Sequence, residues 1–175
     1  MKKDFRASAL PFDHSDSARQ APYISKKGSF RNAEAGITKM KISTKGRYAL
    51  RMLIDLAEHQ NEGYIALKDI AQRQGISKKY LEQIVPMLNR SDILRTNRGF
   101  QGGYCLAKSP DQYTVGSILR LTEGGLAPVA CLENQPNQCP RSKICATLPF
   151  WEGMKKVINE YADGVTLAEL AKLPP

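Results

Sequence analysis

Three cysteines, Cys131, Cys139 and Cys145, fall within fifteen residues in CLENQPNQCPRSKIC, a stretch with two prolines and no apolar period. Thiols in such a loop are not core residues. Three soft thiolates suit an iron-sulfur cluster or zinc; a disulfide switch and reduced surface thiols are the other readings this loop allows. Cys105, between Tyr104 and Leu106, stands apart and reads as structural. A second chemistry sits upstream in SKKYLEQ, where Ser77, Lys78, Lys79, Tyr80, Glu82 and Gln83 share the outward, N-terminal side of one helix. Lysine donates to phosphate or guanine, glutamine pairs with adenine, and glutamate accepts from cytosine N4, so this set could both position and discriminate. As a solvated polar face it would instead pair Glu82 with Lys78 or Lys79. Arg98, in the glycine-rich run NRGFQGG, could enter a neighbouring minor groove. No Ser/His/Asp set, phosphate loop or paired carboxylates appear in motif context, so the chain reads as a non-enzyme.

The elements that must position these residues follow from apolar spacing. Ala49, Met52, Leu53, Leu56 and Ala57 form the stripe of a first amphipathic helix beginning near Ser43. Leu67, Ile70 and Ala71 mark a short second helix that Gly75 closes. Ser77 offers its oxygen as the cap of a third, whose inward face is Leu81, Ile84, Val85 and Leu88. Pro86 should bend that helix in its last turn. Helix, short helix, glycine turn and helix is a helix-turn-helix pattern. ILRT and YCLA flank the glycine-rich run as a hairpin, a wing with Arg98 at its tip. Thr114 caps a fourth helix that ends at Gly124-Gly125. After the cysteine loop, Phe150, Met154, Val157, Ile158 and Tyr161 recur at helical spacing, with Pro149 in the first turn. These residues and Trp151 read as dimer or core packing. Thr166 and Glu169 form a capping box for a last short helix.

The fold class expected is mainly α with a small β-hairpin wing: a winged helix-turn-helix plus a long dimerisation helix. The divisions are a disordered N-terminal extension at 1–39, the winged helix-turn-helix at 40–110, a linking helix at 111–128, the cysteine-bearing sensor loop at 129–148, and the dimerisation and C-terminal helices at 149–175. His14 belongs to the extension, and His59 ends the first helix as a solvent-facing side chain.

Charge agrees with that division. The 175 residues carry 26 Lys and Arg against 17 Asp and Glu, a formal net charge of +9. Residues 41–98 are +5 and residues 99–175 are neutral, as expected of a phosphate-binding module joined to a sensing or dimerising part. No apolar run approaches the roughly 20 residues that cross a bilayer, and the first residues lack a secretory pattern. A cytoplasmic protein without a membrane partner is expected, in a compartment where cysteines stay reduced.

MKISTKGRYALRML, ISKKYLEQIVPMLNRSDIL and the GFQGGYCLA wing resemble the Rrf-two (Rrf2) family of winged-helix transcriptional regulators, which includes the IscR, NsrR and CymR types. The resemblance runs from about Met40 to Leu173. It implies a homodimer reading a pseudo-palindromic operator in double-stranded DNA, with Ser77, Lys79, Glu82 and Gln83 in the major groove and Arg98 in the minor groove. Resemblance to the IscR and NsrR types further implies a 2Fe-2S cluster on Cys131, Cys139 and Cys145, with zinc as the alternative. The gap of seven residues between Cys131 and Cys139 is longer than the family's usual one, while the five between Cys139 and Cys145 agree. Leu148 stands where the IscR type has a histidine ligand, and Arg47 where NsrR-like members have an acidic one. The fourth ligand is therefore unknown, with Glu133, Glu152 or an exogenous thiol as candidates. Likeness to the CymR type implies a different regulator, free of cluster and controlled by a docked metabolic enzyme.

Overall fold

Ser43 begins the ordered architecture by accepting, through Oγ, from Gly46 N at 3.2 Å, which caps α1 (Thr44–Glu58). The computed structural model describes residues 41–99 and 102–173, all within one unit spanning residues 36–175. The expected disordered extension at 1–39, with His14, lies outside the described residues.

The α1 stripe behaves as its spacing predicts: Ala49, Met52, Leu53, Leu56 and Ala57 are all buried. α2 (Leu67–Gln74) turns Leu67, Ile70 and Ala71 onto it and stops at Gly75, whose φ of 60° is the left-handed cap. α3 (Lys78–Arg90) buries Leu81, Ile84, Val85 and Leu88 in the same core. Each fully buried Leu, Ile or Met there contributes about 1.5–3 kcal/mol relative to exposure. α3 continues through Pro86 to Arg90 as one helix. Pro86 and Glu82 are both exposed, so the Glu82 carbonyl that loses its helical partner lies on the wet side.

The wing is an antiparallel pair, β1 (Leu94–Asn97) and β2 (Gly103–Leu106), in the register Leu94↔Leu106 to Asn97↔Gly103. A further bridge joins Tyr104 to Ile65, ahead of α2, through bonds of 2.9 and 2.8 Å. Gly103 permits this, because a Cβ there would stand 2.5 Å from the Ile65 carbonyl oxygen. Half-buried Cys105 pairs across the ladder with Arg95.

α4 (Val115–Glu123), capped by Thr114 and ended by Gly124 at φ 82°, packs on α1. Glu123 reaches back to Ser43, accepting from its Oγ at 2.8 Å and its N at 3.3 Å. α5 (Leu148–Asp163) lies on α4, where Ala162 and half-buried Ile158 meet Leu119 and Leu126. The stripe expected as one face is thus split: Ile158 turns inward, while Val157 is 63% and Tyr161 77% exposed, with Phe150 and Met154 exposed beside them. Trp151 is half-buried, edge-on to Phe150 at 4.9 Å. α6 (Leu167–Leu170) has the Thr166–Glu169 capping box and inserts Leu167 into the core of the first three helices. Among the described residues no helix is long and apolar enough to cross a membrane.

Candidate nucleic-acid interface and cysteine loop

The α2–α3 turn sets up the reading end. Ser77 Oγ accepts from Tyr80 N at 3.2 Å, leaving the first turn of α3 facing outward. Ser77, Lys78, Lys79, Glu82 and Gln83 are exposed, as the sequence predicts. Lys78 pairs with Glu82 at 3.5 Å, so part of this set is the solvated i,i+4 pair that the polar-face reading foresaw. Lys79 makes no ion pair among the described residues. Tyr80 differs from expectation. Its ring is half-buried and edge-on to Tyr48 of α1, with centroids 5.1 Å apart, because a large ring in the first turn finds apolar cover there.

Arg98 is exposed just beyond β1, next to Gly99 at φ 123°. Gly102 N donates to Gly99 O at 3.0 Å and closes the loop. Residues 100 and 101, between them, lie outside the described residues.

A network invisible to spacing rules fixes this head from beneath. Asp55 of α1 is 1% exposed and accepts from Arg73 Nη2 at 2.6 Å, Arg73 Nε at 3.0 Å and Gln74 Nε2 at 3.2 Å. The hydrogen bond to Asp55 holds the Arg73 guanidinium pKa above its ordinary value. A buried carboxylate survives because it is paired and hydrogen-bonded on both oxygens. His59 joins as the residue ending α1, its Nδ1 2.8 Å from the Asp55 carbonyl oxygen; it is half-buried, not simply solvent-facing. Polar Asp55 interrupts the apolar run MLIDLA, which is the one sequence sign of the network.

The cysteine segment holds two short 3-10 turns, Ala130–Leu132 and Ser142–Ile144, with Leu132 buried. Cys131, Cys139 and Cys145 are each half-buried and free. Among the described residues no three His, Cys, Asp or Glu side chains are gathered closely enough to hold a metal ion. Glu133 and Glu152 are exposed, Leu148 opens α5, and Arg47 donates to Thr44 Oγ1 at 3.1 Å. Cys145 Sγ lies 3.4 Å from Thr147 Oγ1, and that contact, with backbone N–H groups of Thr147 and Leu148 and the Arg141 charge, pulls its thiol pKa down. Asn137 Oδ1 accepts from Cys139 N at 2.9 Å, while its Nδ2 is sealed from solvent with no acceptor among the described residues.

A family description reading "Iron-dependent Transcriptional regulator" matches residues 42–173, and its name is Rrf2. The chain belongs to the Rrf2 family. It is similar to Protein rrf2 of Nitratidesulfovibrio vulgaris, 40% identical over 133 residues that cover 76% of this chain and 88% of that protein. It is as similar to the HTH-type transcriptional regulator CymR of Bacillus subtilis, 40% identical over 132 residues, 75% of this chain and 90% of CymR. Among solved structures, T. potens IscR superimposes with a TM-score of 0.60 at 37% identity, covering 77% of this chain and 93% of that one. The fold is a winged helix-turn-helix, and the Rrf2 chain is a DNA-binding transcriptional regulator.

Proposed function

We propose that this Rrf2 regulator works as a homodimer on a pseudo-palindromic operator, with the state of its cysteine loop setting DNA affinity. The observation that carries the DNA half is the exposed first turn of α3, with Lys79 and Gln83 held outward on a head whose α2–α3 turn is braced from within by Asp55. Lys78, Lys79, Gln83 and Ser77 read the major groove, Glu82 shares its carboxylate between Lys78 and a cytosine amine, Tyr80 braces the turn, and Arg98 enters the minor groove. The exposed Phe150, Met154, Val157 and Tyr161 stripe supports a second copy packing on α5. Two reading helices must sit about 34–36 Å apart to meet successive major grooves, so the pairing of α5 governs operator binding.

For the sensor, the donor set fits an iron-sulfur centre in kind: three thiols in one loop, with the sealed Asn137 amide donor two residues from Cys139. Cys131, Cys139 and Cys145 would hold a 2Fe-2S cluster, which when bound supplies a centre open to redox change, nitric oxide and iron loss. The chain's part is mechanical. Cys145 stands two residues before Thr147, the cap position of α5, so any tightening of the loop acts on the start of the pairing helix.

A second reading, a cluster-free regulator controlled by a docked metabolic enzyme, draws on the 40% identity to CymR and on thiols that are not gathered in the single chain. Zinc is the alternative occupant. Anaerobic purification decides among them: a red-brown protein with iron and sulfide supports the cluster. Colourless protein with zinc, or metal-free protein whose DNA binding ignores chelators, defeats it. For the DNA half, replacing Lys79, Gln83 and Arg98 together by alanine should abolish operator preference over random duplex; an unchanged preference defeats the assignment.

A further inference from the structure

Arg51 lies in none of the positions assigned to DNA or to the cysteine loop, yet it grips the end of α2 directly and reaches the start of α3 through one intervening ring. It is exposed on α1 and reaches 23 residues along the chain to Gln74, the last residue of α2. Its Nε donates to Gln74 Oε1 at 3.2 Å, and its Nη2 donates to the Gln74 carbonyl oxygen. That carbonyl is one of those a helix leaves unpaired at its C-terminus, where a cation also opposes the helix dipole. Gln74 is held at its other end as well, since its Nε2 donates to buried Asp55. On α1 itself, the Arg51 guanidinium sits 5.7 Å from the centroid of Tyr48, whose ring meets Tyr80 in the first turn of α3, across the turn from Gln74.

We propose that Arg51 is a specificity-determining positioning residue: its planar fork locks the end of α2 and, through the Tyr48–Tyr80 pair, fixes the angle at which α3 presents Lys79 and Gln83 to base edges. This rests on the DNA reading given above. Two consequences separate it from the commoner role of a surface arginine, a phosphate contact. Lysine keeps the charge but cannot make the two-pronged contact with Gln74, so it cannot stand in. Misaiming α3 lowers binding to the preferred site without removing a phosphate contact, so the salt dependence stays as it was.

The test uses the full chain and a duplex selected by the unmodified protein from a random-sequence pool, with an unrelated duplex of equal length as control. Arg51→Lys and Arg51→Met should each weaken binding to the selected duplex by about tenfold, the scale of one good base contact. Binding to the control and the slope against salt should not change. Gln74→Leu, which removes the same grip from the other side, should match them and decides the matter if an Arg51 variant loses its fold by circular dichroism. A Lys variant that binds like the unmodified protein, or a Met variant whose salt slope drops by roughly 0.9 with both duplexes weakened alike, overturns the proposal. So does retention of full preference by all three variants. If the unmodified chain prefers no selected duplex, the DNA reading itself falls and takes this proposal with it.

Discussion

From α1 to the wing, apolar side chains close on one another from several sides: Met52, Leu53, Leu56, Ile70, Leu81, Ile84 and Leu88 are shut away from water. Between α4 and α5 the interior shrinks to Leu119, Leu126 and Ala162, while the opposite face of α5 carries large apolar residues into solvent. The head closes its apolar surface within one chain, whereas α5 keeps an exposed apolar face. Even α6, last in sequence, spends Leu167 on the head's core and leaves α5 uncovered. A self-sufficient reader joined to an open helix face can have its own stability and its assembly changed separately.

Mutations can break that contrast. The largest effect should come from Leu53→Ala, which should cost about 2–5 kcal/mol in urea unfolding because the closed core cannot refill the space. Val157→Ala, a like truncation on α5, should stay within about 0.5 kcal/mol for the dissociated chain; equal costs would erase the distinction. Val157→Asp comes next. It should shift the proposed dimer to monomer in sedimentation velocity while the head's unfolding midpoint holds. Thr114→Ala, removing the cap whose Oγ1 accepts from Ser117 N at 3.1 Å, should cost about 1 kcal/mol by the same urea assay.

The smallest effect concerns pH. Glu169 accepts from Thr166 N at 2.8 Å and from Thr166 Oγ1 at 3.0 Å, and the backbone bond above all holds its pKa below the ordinary glutamate value. A carboxylate depressed in the folded state contributes stability above its unfolded pKa and loses it as pH falls through the folded one. Glu169→Gln should therefore melt slightly below the unmodified chain at neutral pH, and the gap should close in acid.

The head was readable because its signals are local. Helical spacing named the α1 and α3 stripes, and Ser43, Ser77, Thr114 and Thr166 each cap the helix that follows them. What escaped is built from residues distant in sequence. Asp55 meets Arg73 eighteen positions on, and Ser43 meets Glu123 eighty positions on, distances over which no periodicity operates. The place of Tyr80 on α3 predicts an outward side chain, but its ring direction depends on Tyr48, a partner supplied by another helix. The cysteines were legible as types and spacing; their approach to one another depends on a loop path that no repeat dictates, and the single chain does not gather them.

The bridge from Tyr104 to Ile65 ties the wing to the segment entering α2, and Gly103 lets the two backbones meet without room for a side chain. Such a seam links the base of the flap to the helix pair that carries the reading helix, as a caliper joins its two jaws. Under the groove contacts proposed for α3 and Arg98, the number of base pairs between the two contacts in a half-site is then fixed. One inserted base pair at that point should cost the flap's contribution outright, because the jaw cannot open to follow it.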